Sequence, residues 1–276
     1  MIETFSKKDS LEFQIVISGR KALPFAKDCI TSIQAQQSAN PYSVIYIDDN
    51  SQYREKEKEE LKQLLKSVNG KVEFLTSRHY QVHALAKGVA MIKNKNAVVC
   101  FLDGDDYLLP FALETLSEHY KNPDTIMTYG NALVDFRPYQ NQQIGYFSDK
   151  STVNTEYSEK VWKERSFRQD GFRCFHLKTF RRWLWDYINP SDFLRESGQK
   201  IRASGDSAYI YPMLEMLADP KHVVFIEKPL YVYRLHDHNV HNHDKKSQRE
   251  DLDYLRFKKP PYAPLDRKII EKKKIQ

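Results

Sequence analysis

The chain has 276 residues, with 43 Lys and Arg against 37 Asp and Glu, a make-up that suits one large α/β domain or two small ones. Much of its net charge of +6 collects near the C-terminal end, at Lys258-Lys259 and Lys272 to Lys274, so the charge gives no argument for a nucleic-acid partner. No apolar run approaches the roughly 20 residues that span a bilayer, Met1 to Ser10 lacks the apolar core of a signal peptide, and Cys29, Cys100 and Cys174 are too scattered for a disulfide or zinc framework, which fits a reducing, cytoplasmic setting.

Residues 1–11 are expected to form a mobile leader. Phe13 to Ile17 reads as a buried strand ending at Ser18-Gly19-Arg20, and Pro24 opens a helix to about Gln37 with Phe25, Cys29, Ile30 and Ile33 on one face. Val44 to Ile47 is a second strand, ending in Asp48-Asp49-Asn50-Ser51. Leu61, Leu64, Leu65 and Val68 then mark a helix that Asn69-Gly70 stops. Val72 to Leu75 reads as a strand, Val82 to Ile92 as a helix and Ala97 to Leu102 as a strand, with another helix after Pro110. Strand alternating with helix at this spacing predicts βαβ units and a mostly parallel sheet.

The second half is less regular. Ile126 to Phe136 reads as a strand or an irregular apolar segment, and Asn141 to Lys163 as loop. Phe172 to His176 leads into a helix with Trp183, Trp185 and Tyr187. Ala208 to Ala218 is a helix, Val223 to Ile226 a strand, and Leu230 to Tyr233 a further short strand. The Lys- and Pro-containing end is expected to be partly disordered.

Two acidic strand ends stand out, Asp48-Asp49 and Asp103-Gly104-Asp105-Asp106. In open α/β sheets ligands bind outside the carboxyl ends of the strands, and the two ends are expected to face one crevice. Carboxylates this close repel one another unless water or a cation intervenes. Hard divalent ions take oxygen ligands and commonly share them with a diphosphate. His236, His238, His241 and His243 match no closed zinc spacing and read mainly as a polar loop. His176 is open to contact with a substrate or to a structural role.

In this order the segments resemble a family 2 glycosyltransferase of the GT-A fold, from about Phe13 to about Asn239. Tyr46-Ile47-Asp48-Asp49-Asn50-Ser51 resembles the family's nucleotide-binding turn, and Phe101 to Pro110 its metal-binding segment. Gly205-Asp206 stands where the family has Glu-Asp, and Lys228 to His236 resembles its late Pro-Leu-Tyr-x-Tyr-Arg-x-His signature. The resemblance implies a Rossmann-like, mostly parallel sheet flanked by helices with an irregular C-terminal acceptor half. It implies one domain over 1–245, with a nucleotide-sugar half at about 12–125 and an acceptor half at about 126–245, followed by a basic tail at 246–276.

The roles implied are an inverting transfer from a nucleotide-sugar, foremost a UDP-sugar, to a hydroxyl of a glycan, lipid-linked carrier or protein. Asp49 would meet the base with Asp48 beside it, and Ser18 and Arg20 would lie near the nucleoside. Asp103 would lie near the ribose or the metal, Gly104 would belong to the same nucleotide-sugar site, and Asp106 would orient the ribose or the metal. Asp105 and His236 would meet a Mn²⁺ or Mg²⁺ ion, and Asp206 would be the catalytic base. The family's Arg-Asn pair is missing around Ala84 to Gly88, where Arg78 or Lys87 would have to stand in. The basic tail would suit peripheral contact with an anionic membrane, although a solvated tail is the plainer reading. Two other classes remain open: a sugar-nucleotide-forming nucleotidyltransferase, for which Ser18-Gly19-Arg20-Lys21 has few glycines, and a non-catalytic binding module.

Overall fold

The computed structural model describes residues 11–135, 155–237, 239 and 244–275. Residues 1–10 of the expected leader, residues 141–154 of the expected loop, and His238, His241 and His243 lie outside these residues. Among these residues one eight-stranded sheet organises the chain, in the order Gly70–Phe74 (β3), Tyr42–Asp48 (β2), Phe13–Gly19 (β1), Val98–Asp103 (β4), Phe175–Arg181 (β7), Met127–Asp135 (β6), Val223–Arg234 (β8) and Tyr107–Leu108 (β5).

Its first half follows from the apolar runs. β1 (Phe13–Gly19) lies between β2 (Tyr42–Asp48) and β4 (Val98–Asp103), and β3 (Gly70–Phe74) flanks β2, all four parallel. Strands covered on both faces must be apolar on both faces, and all seven residues of β1 are buried. The connecting helices are α1 (Leu23–Gln34), α2 (Glu55–Lys66) and α3 (Gln81–Ala90), and α4 (Ala112–Tyr120) follows β4 and the short β5 (Tyr107–Leu108). Ile15, Ile17 and Cys100 pack with α1 and α2, while Val16, Ile45 and Phe101 point to the opposite face and pack with α3. All three cysteines are buried and free.

The second half departs from expectation at two strands, at Glu159, where a helix begins inside the expected loop, and at the C-terminal end. Phe175 to Arg181 is a strand, β7, antiparallel to β4, before the one-turn helix α7 (Arg182–Trp185). Buried polar residues His176, Lys178 and Thr179 interrupt its apolar pattern. Val223 to Arg234 is a single strand, β8, rather than two. It runs parallel to β6 (Met127–Asp135), with a register irregularity between Gly130 and Ala132 that takes up Pro229.

On the Phe101 face lie two short helices, α5 (Glu159–Glu164) and α6 (Phe167–Asp170), and the long α8 (Gly205–Leu217). Every residue of α8 except Asp206 is buried, as befits a helix covered all round. Trp185 packs edge-on against Phe101, with ring centroids 5.6 Å apart, so it is a core residue.

The C-terminal end was expected to be partly disordered; instead it forms α9 (Lys245–Phe257) and α10 (Arg267–Ile275). Leu255 and Ile270 enter the core. Beneath them Arg168 and Glu215 form a buried two-bond ion pair (2.5 and 2.9 Å). Arg168 also donates to the Leu255 carbonyl, and the Tyr262 N–H donates to Glu215 (2.9 Å). The net charge of this stretch hid the few inward residues that tie it down. Among the described residues no helix is long and apolar enough to cross a membrane.

Candidate active site

Strand register sets the site. Gly19 pairs with Asp48, and Ser18 pairs with Asp103, so the acidic ends of β2 and β4 stand level on either side of β1. Both open on one sheet edge, as expected.

At the β2 end the carboxylates bind backbone. Asp48 accepts the Ser51 N–H (2.9 Å) and the Ser51 hydroxyl, and burial pushes its carboxyl up. Asp49 reaches across to the start of α3 and accepts the N–H groups of His79 (2.5 Å) and Tyr80 (2.8 Å). Asp48 thus holds its own turn, while Asp49 joins two loops. The buried Ser18 accepts the Gly104 N–H at its carbonyl (2.9 Å), and Arg20 is exposed just beyond β1.

The β4 loop divides its acids. Asp103 Oδ1 accepts from Gln81 Nε2 (2.7 Å), and Oδ2 lies 4.0 Å from His176 Nε2. Burial, and then the neighbouring Asp105, push the Asp103 carboxyl up to about 7. Gly104 is a close-approach position: a Cβ there would sit 2.8 Å from the Tyr46 hydroxyl and 3.2 Å from Gly19 Cα. Asp105 is paired with His236, Oδ2 to Nε2 2.9 Å, and the His236 ring stacks on Phe25 with centroids 4.6 Å apart. Asp106 is buried, accepting the Arg234 N–H (2.7 Å) and the Tyr231 hydroxyl (2.6 Å). It latches the loop to β8, and burial pushes its carboxyl well up.

Asp206 lies in the first turn of α8. Aspartate at a helix start is a common cap, but here no side chain caps the helix. Asp206 Oδ2 instead accepts from Lys178 Nζ (2.7 Å), and Oδ1 accepts from the Tyr209 hydroxyl (2.8 Å). Burial alone would raise its carboxyl. The Lys178 ammonium and these hydrogen bonds outweigh burial and hold it below the usual carboxylate range. Lys178 also lies 3.3 Å from His176 Nε2. Burial, and then Lys178, push the His176 imidazole well below its usual range, so it is neutral. Its ring stacks on Tyr231 at 4.2 Å.

The loop before α8 is fixed from the C-terminal side. Asp251 of α9 is fully buried and accepts the N–H groups of Arg202 (2.8 Å) and Ala203 (2.9 Å) and Nε of Arg195 (2.7 Å). The Ser204 hydroxyl donates to the Gln248 carbonyl (3.0 Å).

Gln81, Lys178 and Tyr209 escaped the sequence reading. Lys178 left one trace, a charge two residues from His176 in an otherwise apolar stretch, which places both on one strand face. Among the described residues no group of three or more His, Cys, Asp or Glu side chains is arranged to hold a metal. Asp105 and His236 offer two donors beside three further carboxylates, Asp103, Asp106 and Asp206, of which only Asp206 has an ammonium bound to it.

The sequence pattern of Glycosyl transferase family 2 matches residues 15–187, well over half of the chain. Teichoic acid poly(glycerol phosphate) polymerase of Staphylococcus epidermidis is 23% identical over 181 residues, 64% of this chain. The match covers 24% of that protein, so the chain spans about a quarter of the length of this curated relative. The crystal structure of S. aureus TarS residues 1–349 is similar at a TM-score of 0.54 and 13% identity, over 81% of this chain and 60% of that one. The same region of TarS in complex with UDP-GlcNAc is similar at a TM-score of 0.54 and 12% identity, over 83% and 60%. Mannosyltransferase PcManGT from Pyrobaculum calidifontis, in complex with GDP-Man and Mn²⁺, gives a TM-score of 0.54 at 13% identity, over 85% and 60%.

Proposed function

The chain belongs to glycosyl transferase family 2 and has its GT-A fold, and from that premise we propose that it moves a sugar from a nucleotide-sugar to an acceptor hydroxyl, inverting the anomeric carbon. The observation that carries this reading is the meeting of Asp49, Asp103, Asp105 and Asp206 at one sheet edge, drawn from β2, β4 and α8. Residues 12–125 hold the donor and 126–245 the acceptor.

Asp49 accepts a hydrogen bond from the nucleotide base on a lone pair that its two backbone donors leave open, and Asp48 keeps the turn in shape. Ser18 and Arg20 border the nucleoside, and Asp103 the ribose. Gly104 keeps the loop close to β1. Uracil is the base proposed; TarS in complex with UDP-GlcNAc supports it, whereas the mannosyltransferase complex holds GDP-Man.

A divalent ion fits the residues present. Asp103 and Asp105 stand together in one loop, and burial, and after it Asp105, push the Asp103 carboxyl up to about 7. Asp105 and His236 would hold Mn²⁺ or Mg²⁺, with the donor's oxygens completing the shell. When bound, the ion supplies positive charge for the departing diphosphate.

Asp206 takes the acceptor's hydroxyl proton while the acceptor oxygen bonds to the anomeric carbon. The bond from that carbon to the diphosphate breaks, and its electron pair leaves with the nucleoside diphosphate. Lys178 keeps Asp206 ionised, and Tyr209 fixes its second oxygen. A single carboxylate acting in one in-line displacement gives inversion.

The test is turnover of UDP- and GDP-sugars with Mn²⁺ across an acceptor panel. Asp206→Ala is expected to lower kcat by about 10²–10⁴ while nucleotide still raises its melting temperature. Retained turnover in that variant removes the proposed base. Consumption of a nucleoside triphosphate with release of pyrophosphate overturns the transferase reading.

A further inference from the structure

Tyr80 has φ 67° and ψ 163°, a backbone region used almost only by glycine. Such a residue is strained and persists only where its surroundings hold it. Asp49 holds it, by accepting the N–H groups of both His79 and Tyr80. The side chain placed by this backbone gathers positive charge. The Arg78 guanidinium lies 4.5 Å from the ring centroid of Tyr80 and that of Arg202 5.8 Å. Lys200 Nζ lies 3.5 Å from the Arg78 carbonyl.

Two guanidiniums therefore converge on one aromatic ring, and a third cation, Lys200, reaches the backbone of the first. None of them has an ion-pair partner among the described residues, and Arg78 and Arg202 are exposed. Asp251 meets Arg202 only at its backbone N–H. Asp244 faces both arginines, but its carboxylate accepts the Ser247 N–H (3.2 Å) in capping α9. Three cations against one carboxylate leave this cluster a surplus of positive charge.

The place of the cluster says which anion. Tyr80 adjoins Gln81, which donates to Asp103, and a Cβ on Gly205 would lie 3.1 Å from Val82 Cβ. The starts of α3 and α8 thus touch, and Arg202 stands four residues ahead of Asp206. The pair Asp105–His236, where the donor's diphosphate is proposed to bind, belongs instead to the β4 loop and the end of β8. The cluster thus lies between Asp49, proposed to meet the nucleotide base, and Asp206, proposed to meet the acceptor, and on other elements than the proposed diphosphate position. Two guanidiniums on one ring with an ammonium beside them suit a tetrahedral oxyanion, since Arg offers paired N–H donors and Lys a point charge.

We propose that Arg78, Lys200 and Arg202 form a phosphate subsite over Tyr80, and that the acceptor is a hydroxyl compound carrying a phosphate. This rests on the transferase reading for Asp206 as base. The same chemistry could instead serve the donor's diphosphate, and the experiment separates the two sources.

Binding of sn-glycerol 3-phosphate is measured calorimetrically on the full chain, with and without saturating UDP and Mg²⁺. Glycerol 3-phosphate is expected to bind the UDP-loaded protein, glycerol is not, and the two ligands add in a thermal-shift assay. Arg78→Gln and Arg202→Gln each weaken glycerol 3-phosphate at least tenfold, while stabilisation by UDP persists and shows that these exposed positions leave the fold intact. Competition between glycerol 3-phosphate and UDP assigns the cluster to the donor and overturns the proposal. Binding that neither substitution weakens also overturns it. Failure of the base is read separately: turnover retained by Asp206→Ala removes the base without altering glycerol 3-phosphate binding.

Discussion

Lys178→Met tests the coupling at the centre of the site. The ammonium is 2% exposed and lies 2.7 Å from Asp206 Oδ2. Removing one partner of a buried pair strands the other charge, at about 3–5 kcal/mol. Asp206 is 26% exposed, so solvent screens part of this and the lower end, about 3 kcal/mol, applies. Unfolding entropy of about 2.1 cal/mol/K per residue gives roughly 0.6 kcal/mol per kelvin for a chain of this length, so the melting temperature falls about 5 °C. The pH dependence has a definite sign. In the wild type the depressed carboxyl contributes stability that is present above its unfolded value near 3.8 and is lost only as pH falls through its lower folded value. Without Lys178, burial dominates and raises the carboxyl, so Asp206 takes up a proton as pH falls from 7 toward 4 and the penalty fades. The melting gap between wild type and Lys178→Met therefore narrows with acidification. Asp206→Asn in the Lys178→Met background removes the stranded charge and recovers most of the loss. Melting curves of the four proteins from pH 4 to 8 decide it. A gap constant with pH, or a double variant no more stable than Lys178→Met, refutes the reasoning.

Asp105→Ala is expected to abolish the Mn²⁺-dependent part of nucleotide stabilisation, which at a hundredfold excess of ligand over Kd is about 2.7 kcal/mol; chelator should make the wild type behave like the variant, and equal metal dependence in both would remove Asp105 as a ligand. The Tyr46 hydroxyl is buried with no hydrogen-bond partner among the described residues, so Tyr46→Phe should be neutral or stabilising by up to about 1 kcal/mol, and a clear loss in melting temperature would show that the hydroxyl has a partner. Gly104→Ala drives a methyl into that hydroxyl and into Gly19; it is expected to cost about 1–3 kcal/mol and to be partly rescued by Tyr46→Phe, and additivity of the two changes would count against the steric account. Asp251→Asn loses the charge-assisted bond from Arg195, about 1.5–3 kcal/mol, and kcat should fall with it because the same carboxylate fixes the approach to Asp206; unchanged kcat would uncouple α9 from the site.

The first half of the fold was legible because its strands are short apolar runs punctuated by Pro24, Asn40-Pro41 and Asn69-Gly70. The acidic ends could be placed on one edge because parallel strands joined by helices leave little choice. β7 was not legible. Its buried polar residues find partners far away in sequence, Lys178 in Asp206 and Thr179 in Tyr120 and Thr128, and no local pattern announces that pairing. Residue type also cannot separate a carboxylate turned to ligand from one turned to backbone. Asp48 and Asp106 look like site residues in the sequence and act as latches in the structure. The charged end misled for a related reason: its anchors are Asp251, Leu255 and Ile270, too few to show against the surrounding lysines.

The grip of Asp251 on the approach to Asp206 has a consequence for synthesis. A ribosome adds about 5–20 residues each second, so the segment that seats the proposed base follows it by roughly 2–9 s. In roughly the last third of that interval, once His236 has been added, the residues proposed to hold the donor and its ion are all made, while Arg202 and Ala203 lack the carboxylate that fixes them. A nascent chain would then be able to capture a nucleotide before it could turn one over, and proteolytic loss of α9 from the finished protein would return it to that state.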